Sequence, residues 1–296
     1  MQKPLILFFL SILLFSCKTD INNVVKKLEN KPLEEQYSDG FNQAEEPNEK
    51  AFSFLVPENW LISGGITRVS SNLSDAKDDR HEAKLYLKLT SPDAKSTLCW
   101  LPNNNYFDPE KSRKAKNKQA EKNTCNYPEM SLLSPADFGI QIAFPFAHPH
   151  ASELKIIGNK KLEKVAKEYQ LLSALTSPKN NCNFMAALVT IQYLENGTTF
   201  RERIICVIES SNDSGNWGNR DTWYIKNTAD QFGDMLPTFS TICKSVRVNP
   251  IWIEKEILHQ QKEIRADISN KDLSAIEKEI YEQRIRVNSA IATNLF

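Results

Sequence analysis

Residues 185–210, MAALVTIQYLENGTTFRERIICVIES, decide how the chain folds, together with 221–252, DTWYIKNTADQFGDMLPTFSTICKSVRVNPIW. Asn196-Gly197 suits a two-residue type I′ turn, in which both central residues need positive φ. With that turn, Ala187 faces Cys206, Val189 faces Ile204, Ile191 faces Glu202 and Tyr193 faces Phe200. Side chains alternate faces along a strand, so this face is apolar apart from Glu202. The opposite face pairs Thr190 with Arg203 and Gln192 with Arg201, and turns apolar only at Leu188 and Ile205. One dry face and one mostly wet face are expected of an antiparallel sheet covered on one side. Trp223-Tyr224-Ile225 offers a third strand. Phe232, Met235, Leu236, Phe239 and Ile242 then fall on one helical stripe, kinked or broken at Pro237. Its natural place is over the hairpin's dry face.

The chain opens differently. Lys3 precedes an apolar run, Leu5 to Phe15, interrupted only by Ser11. The run is short for a membrane span and reads as a secretory signal over residues 1–16. Leu14-Phe15-Ser16-Cys17 resembles the bacterial lipobox, which makes Cys17 the expected lipidation site and the lipid bilayer the first expected partner. Residues 17–50 are polar, with Pro32 and Pro47, and read as a flexible tether.

An α+β domain is expected over 51–253, either as one piece or as two halves, 51–145 and 146–253. Phe52, Phe54 and Val56 alternate into a strand, Trp60-Leu61-Ile62 resumes it, and Ala83–Thr90 puts Leu85, Leu87 and Leu89 on one face. Residues 137–145, DFGIQIAFP, read as a strand, and 155–175 as a helix carrying Leu162, Val165, Ala166, Tyr169 and Leu172. The segment EKSRKAKNKQAEK (110–122) holds six basic and two acidic residues. With no aromatic residues among those charges it reads as a solvated insertion, not a nucleic-acid platform. Residues 254–296 carry isoleucines on a helical stripe amid charged residues, with a capping box near Ser269–Asp272. They form C-terminal helices that pack on the domain or on a partner helix, packing being favoured.

Whole-chain charge is balanced, with 37 basic and 37 acidic side chains, which argues against general polyanion or nucleic-acid binding. Export implies an oxidising compartment. Cys99 and Cys125 bracket the basic insertion and are the expected disulfide. Cys182, Cys206 and Cys243 leave their pairing open, and at least one thiol is free.

No nucleophile elbow, phosphate loop or dinucleotide fingerprint occurs, and no cofactor is expected. His148 and His150, joined by His81, could share a metal if they lay on one strand face, although Pro149 marks a turn more naturally. Trp217 lies in a Gly/Asn-rich stretch, so Trp217, Asn219 and Arg220 are the candidate binding residues of an exposed loop.

Pro57, Trp60, Gly64, Gly65 and Arg68 resemble the Pro-x-x-Trp-x-x-x-Gly-Gly-x-x-Arg opening of a group of uncharacterised bacterial exported proteins. Ser245, Pro250 and Trp252 are similar to the closing phrase of the PsbP-like fold. The resemblance covers residues 51–253 and implies a helix-backed antiparallel sheet with no catalytic residues to transfer. The expected function is a lipid-anchored cell-envelope lipoprotein, periplasmic or surface-facing, that binds an envelope protein or glycan without being an enzyme. The competing expectation is an envelope hydrolase or metal-dependent enzyme using His148 and His150.

Overall fold

The hairpin closes at Asn196-Gly197, with φ of 49° and 75°, and its register is the expected one from Ala187↔Cys206 to Tyr193↔Phe200. The computed structural model describes residues 40–70, 81–115, 123, 126–176, 181–260 and 270–296. Cys17, Cys125, the signal segment and the capping box expected at Ser269–Asp272 fall outside the described residues or side chains.

In chain order the elements are β1 (Phe41–Glu45), β2 (Phe52–Pro57), β3 (Leu61–Ser70), β4 (His81–Thr90), β5 (Thr97–Leu101), β6 (Asn105–Phe107) and α1 (Pro109–Ala115). Helix α2 follows as Pro135–Phe138, a π-turn Gly139–Ala143, and Phe144–Ala147. Then come β7 (Ser152–Lys161), α3 (Glu163–Thr176), β8 (Cys182–Glu195), β9 (Thr198–Ser211), β10 (Asn216–Thr228), α4 (Phe232–Ser245), β11 (Arg247–Val248), α5 (Pro250–Gln260) and α6 (Asn270–Thr293). The fold is α+β. An antiparallel sheet runs β3-β4-β5-β10-β9-β8-β7, with β6 added beside β10, and a small sheet runs β1-β2-β11. The large sheet unites strands from 51–145 with strands from 146–253. The folded unit also takes in Phe41–Glu45, assigned to the tether from sequence, because β1 pairs with β2 and Phe41 and Ala44 pack on the core.

Both faces of the sheet are covered, which corrects the one-sided expectation. Ala187, Val189, Ile191, Tyr193, Ile204 and Cys206 lie under α2, through Phe138, Ala143 and Phe144. The second face carries Ala186, Leu188, Ile205, Val207, Trp223 and Ile225, packed with α3, α4, α6 and the small sheet. Near the turn it is half-exposed, at Thr190, Gln192, Arg201 and Arg203. Helix α4 therefore covers the face opposite the expected one. It also runs unbroken through Pro237, where the bond forgone is the one to the carbonyl of Gly233.

Residues 137–145 are helical, not a strand. Ser134 caps the segment, its hydroxyl accepting from the Asp137 amide at 3.1 Å, and Pro135 occupies the first turn. The apolar residues alternate as a strand would, but the π-turn puts Phe138 and Ala143, five apart, on one buried side. In the other direction, Ser152–Lys161 is a strand and the helix starts only at Glu163.

Arg68 and Trp252 meet at Glu49. Arg68 donates twice to Glu49, at 2.7 and 2.6 Å, and its other nitrogen pairs with Glu256 at 2.9 Å. Trp252 Nε1 donates to Glu49 Oε2 at 2.7 Å. Trp60 meets Phe239 edge-on at 6.3 Å, and the Ser245 hydroxyl accepts from the Leu55 amide at 2.8 Å. At Gly64, φ is +91° and a Cβ would stand 2.1 Å from the Tyr86 carbonyl oxygen. Gly64→Ala is therefore expected to cost about 2–3 kcal/mol in denaturant unfolding; an unchanged midpoint would mean that the β3–β4 contact yields freely.

Candidate functional site

Glu202 is the single acidic residue in the apolar row of the hairpin, and the fold seals it completely, at 0% exposure. A buried carboxylate needs partners. The C-terminal end of α2 supplies one: His148 caps that helix, its amide donating to the Phe144 carbonyl at 2.8 Å. Its Nε2 stands 2.7 Å from Glu202 Oε2, and its Nδ1 stands 3.2 Å from Glu195 Oε1. Both ring nitrogens can donate together only in the imidazolium form. Tyr193 donates to Glu202 Oε2 at 2.9 Å, and Lys226 Nζ reaches Glu195 Oε2 at 2.7 Å while lying 4.2 Å from the Phe200 ring centroid. Phe144, Tyr193 and Tyr224 rings pack around the imidazole, with centroids 5.3, 5.0 and 5.1 Å away.

Charge in this cluster is arranged around the two carboxylates. Burial works against ionised Glu195, but Lys226, helped by His148, outweighs it and holds the carboxyl below its ordinary pKa. Burial pushes the Tyr193 and Tyr224 hydroxyls far above the ordinary phenol range, and the Glu202 charge adds to both. The arrangement can hold a proton and fix α2 against the sheet. Its members face one another, with His148 5% exposed and Glu195 and Lys226 half-buried at its margin.

His150, by contrast, is exposed. The pair expected to share a metal is thus split between core and solvent by the turn at Pro149. Among the described residues no group of three or more His, Cys, Asp or Glu could hold a metal ion.

Trp217, Asn219 and Arg220 do not form an exposed loop. They belong to β10, paired with β6 on one side and β9 on the other. Trp217 is 2% exposed; its Nε1 donates to the Met130 carbonyl at 2.8 Å and its ring lies 4.7 Å from that of Tyr106. Asn219 is buried and ties Pro102, Asn104 and Thr222 together. Arg220 pairs with Glu209 and donates to Asn105 Oδ1 at 3.0 Å. The glycine read as loop chemistry serves close approach instead: a Cβ on Gly218 would stand 2.4 Å from the Asn104 carbonyl oxygen.

Cys99, Cys182, Cys206 and Cys243 carry free thiols. Cys206 and Cys243 lie on opposite faces of the sheet, which separates a pair left open by the sequence. Burial pushes Cys99, Cys182 and Cys206 up to about 12, and such thiols are poor nucleophiles at neutral pH. Beside α6 a crevice is lined by Trp100, Asp221, Trp223, Cys243, Arg284 and Asn288. It has room for about one water molecule, which suits the buried, unpartnered Nε1 of Trp223.

His148 and, as the exception in its row, Glu202 stand out in the sequence, whereas local pattern does not mark Glu195, Tyr193 and Lys226 as their partners. The available signal was the cross-strand register, which sets Lys226 beside Glu202 once β10 is paired. No protein-family model matches the chain, and no curated protein resembles it significantly.

Two substitutions test the cluster. His148→Ala leaves Glu202 buried without the imidazole at its Oε2 and is expected to cost about 3–5 kcal/mol of unfolding free energy; a loss under about 1 kcal/mol would dissolve the pair as a structural unit. Glu195 is held low in the folded state, so its contribution is present above the ordinary carboxylate range and is lost as pH falls through its depressed value. Lys226→Met should therefore move the acid limb of a Tm-against-pH profile to higher pH. Superimposed limbs would exclude Lys226 as the cause.

Proposed function

We propose that the chain is a bacterial cell-envelope lipoprotein, anchored through acyl chains on Cys17, whose folded unit serves as a non-enzymatic binding or accessory module. The observation that carries this reading is the apolar run Leu5–Phe15 leading into Leu14-Phe15-Ser16-Cys17. Two or more acyl chains give a stable anchor where one gives only marginal binding. The geometry of the folded unit supports the rest: His148, Glu195, Glu202, Tyr193 and Lys226 are directed at one another, as in a structural polar core. The PsbP-like assignment of the C-terminal half is supported by the helix-backed antiparallel sheet and by Ser245, Pro250 and Trp252 at its exit. The hydrolase or metal-enzyme reading built on His148 and His150 is set aside, because one ring is in the core and the other in solvent.

The anchor is tested in a bacterial host by metabolic labelling with a palmitate analogue. The natural chain should be labelled and stay in the membrane fraction after a high-salt wash. Cys17→Ser should lose the label and be released by the wash. A Cys17→Ser chain that stays in washed membranes would make the apolar run an uncleaved anchor and overturn the lipoprotein reading.

A further inference from the structure

Strand β7 is one of the two edges of the large sheet, and it exposes apolar side chains where edge strands ordinarily hide them. Leu154, Ile156 and Ile157 are 40%, 56% and 52% exposed. Consecutive residues of a regular strand point to opposite faces. Here the pairing with β8 slips between Ser152 and Lys155 and again between Ile156 and Gly158, which leaves both isoleucines outward at the rim. Residues 152–164 also carry Lys155, Lys160, Lys161 and Lys164, all exposed, against Glu153 and Glu163. Lys155 extends the row through Gln192 to Arg201 on the same sheet face. The rim is thus apolar at its tip and cationic along its flanks.

Three occupants suit an apolar edge, and the local geometry separates them. An added β-strand needs an even ladder of free amides and carbonyls, but two slips in ten residues put the edge groups out of step. A second copy meeting the same edge would set lysines against lysines. An anionic bilayer needs neither an even ladder nor a defined register: it takes protruding aliphatic side chains into the headgroup boundary and lysines against its phosphates.

We propose that the β7 rim docks the folded unit onto an anionic phospholipid surface, with Ile156 and Ile157 inserted and Lys155 and Lys160 on the headgroups. The choice of occupant rests on the membrane-anchor reading above, since a tethered unit meets the bilayer at high effective concentration. Docking through β7 makes the tethered module lie against the membrane instead of ranging freely from it.

The test uses the acyl-free chain from Lys18 to Phe296, which keeps the whole compact unit 37–296, and vesicles of phosphatidylglycerol mixed with phosphatidylcholine. Cosedimentation with the mixed vesicles is expected, with little on phosphatidylcholine alone and loss in 0.5 M salt, about three times the ionic strength at which screening reaches ~8 Å. Ile156→Ser/Ile157→Ser should weaken binding about tenfold, and Lys155→Glu/Lys160→Glu by more than about tenfold. Both pairs lie on the exposed rim, so thermal unfolding should remain near that of the natural chain. No binding to the mixed vesicles, or binding that both double variants leave intact, overturns the proposal. Capture of soluble polyglutamate without vesicle binding overturns it too, and assigns the rim to an acidic protein partner. Because the chain tested has no acyl group, these outcomes are independent of whether Cys17 is lipidated, which the labelling experiment decides.

Discussion

The β8–β9 ladder sends Ala187, Val189, Ile191 and Tyr193 to one face and Ala186 and Leu188 to the other. A shift of one residue would exchange the two sets. Asn196-Gly197 holds the register by supplying the two positive-φ positions of the turn. Once β10 joins, apolar rows stand on both sides, and each must be covered to be removed from water. The remaining elements are arranged as that cover: α2 on one side, and α3, α4, α6 and the small sheet on the other.

Two polar clusters hold the covers in place, one on each face. On the α2 side, His148 and Glu202 join a helix end to the middle of the sheet, with Tyr193 on Glu202 and with Glu195, itself paired to Lys226, on the imidazole. On the other, Arg284 of α6 reaches Asp221 at 2.6 Å and the Tyr169 hydroxyl at 2.9 Å, binding the C-terminal helix to both the sheet and α3. Buried ion pairs of this kind add little net stability against apolar replacements of the same shape, but breaking one partner is costly. Their effect is directional: an aliphatic helix face can slide over a sheet, whereas a hydrogen-bonded carboxylate accepts one position. The corner of Glu49, Arg68 and Trp252 does the same for the small sheet and α5.

These clusters also separate the two kinds of polar residue in the molecule. His148, Trp217 and Asn219 are chemically versatile side chains engaged inside the fold, and Glu202 is bonded there through Oε2 while its Oε1 stays buried without a partner. Among the described residues, the β7 rim sets exposed lysines beside protruding aliphatic side chains.

Local pattern was enough to specify the hairpin, its register, the apolar stripe from Phe232 to Ile242 and the helical residues between Leu162 and Leu172. These depend on φ preferences and on periods of two or 3.6 residues, which a short stretch carries within itself. Position 202 was also legible as an exception in an apolar row. The identity of its partner was not, because His148 lies 54 residues away and reaches it only through the path of α2. Residues 137–145 alternate like a strand yet fold as a helix, since Ser134 and Pro135 open it and a π-turn resets its buried side. The Gly and Asn neighbours of Trp217 suggest an exposed loop, whereas Gly218 serves the close approach of the chain at Asn104 and Trp217 is buried. Which helix covers which face was likewise decided only in three dimensions. An amphipathic stripe states that a face will be buried, but it carries no information about which of two apolar surfaces will bury it.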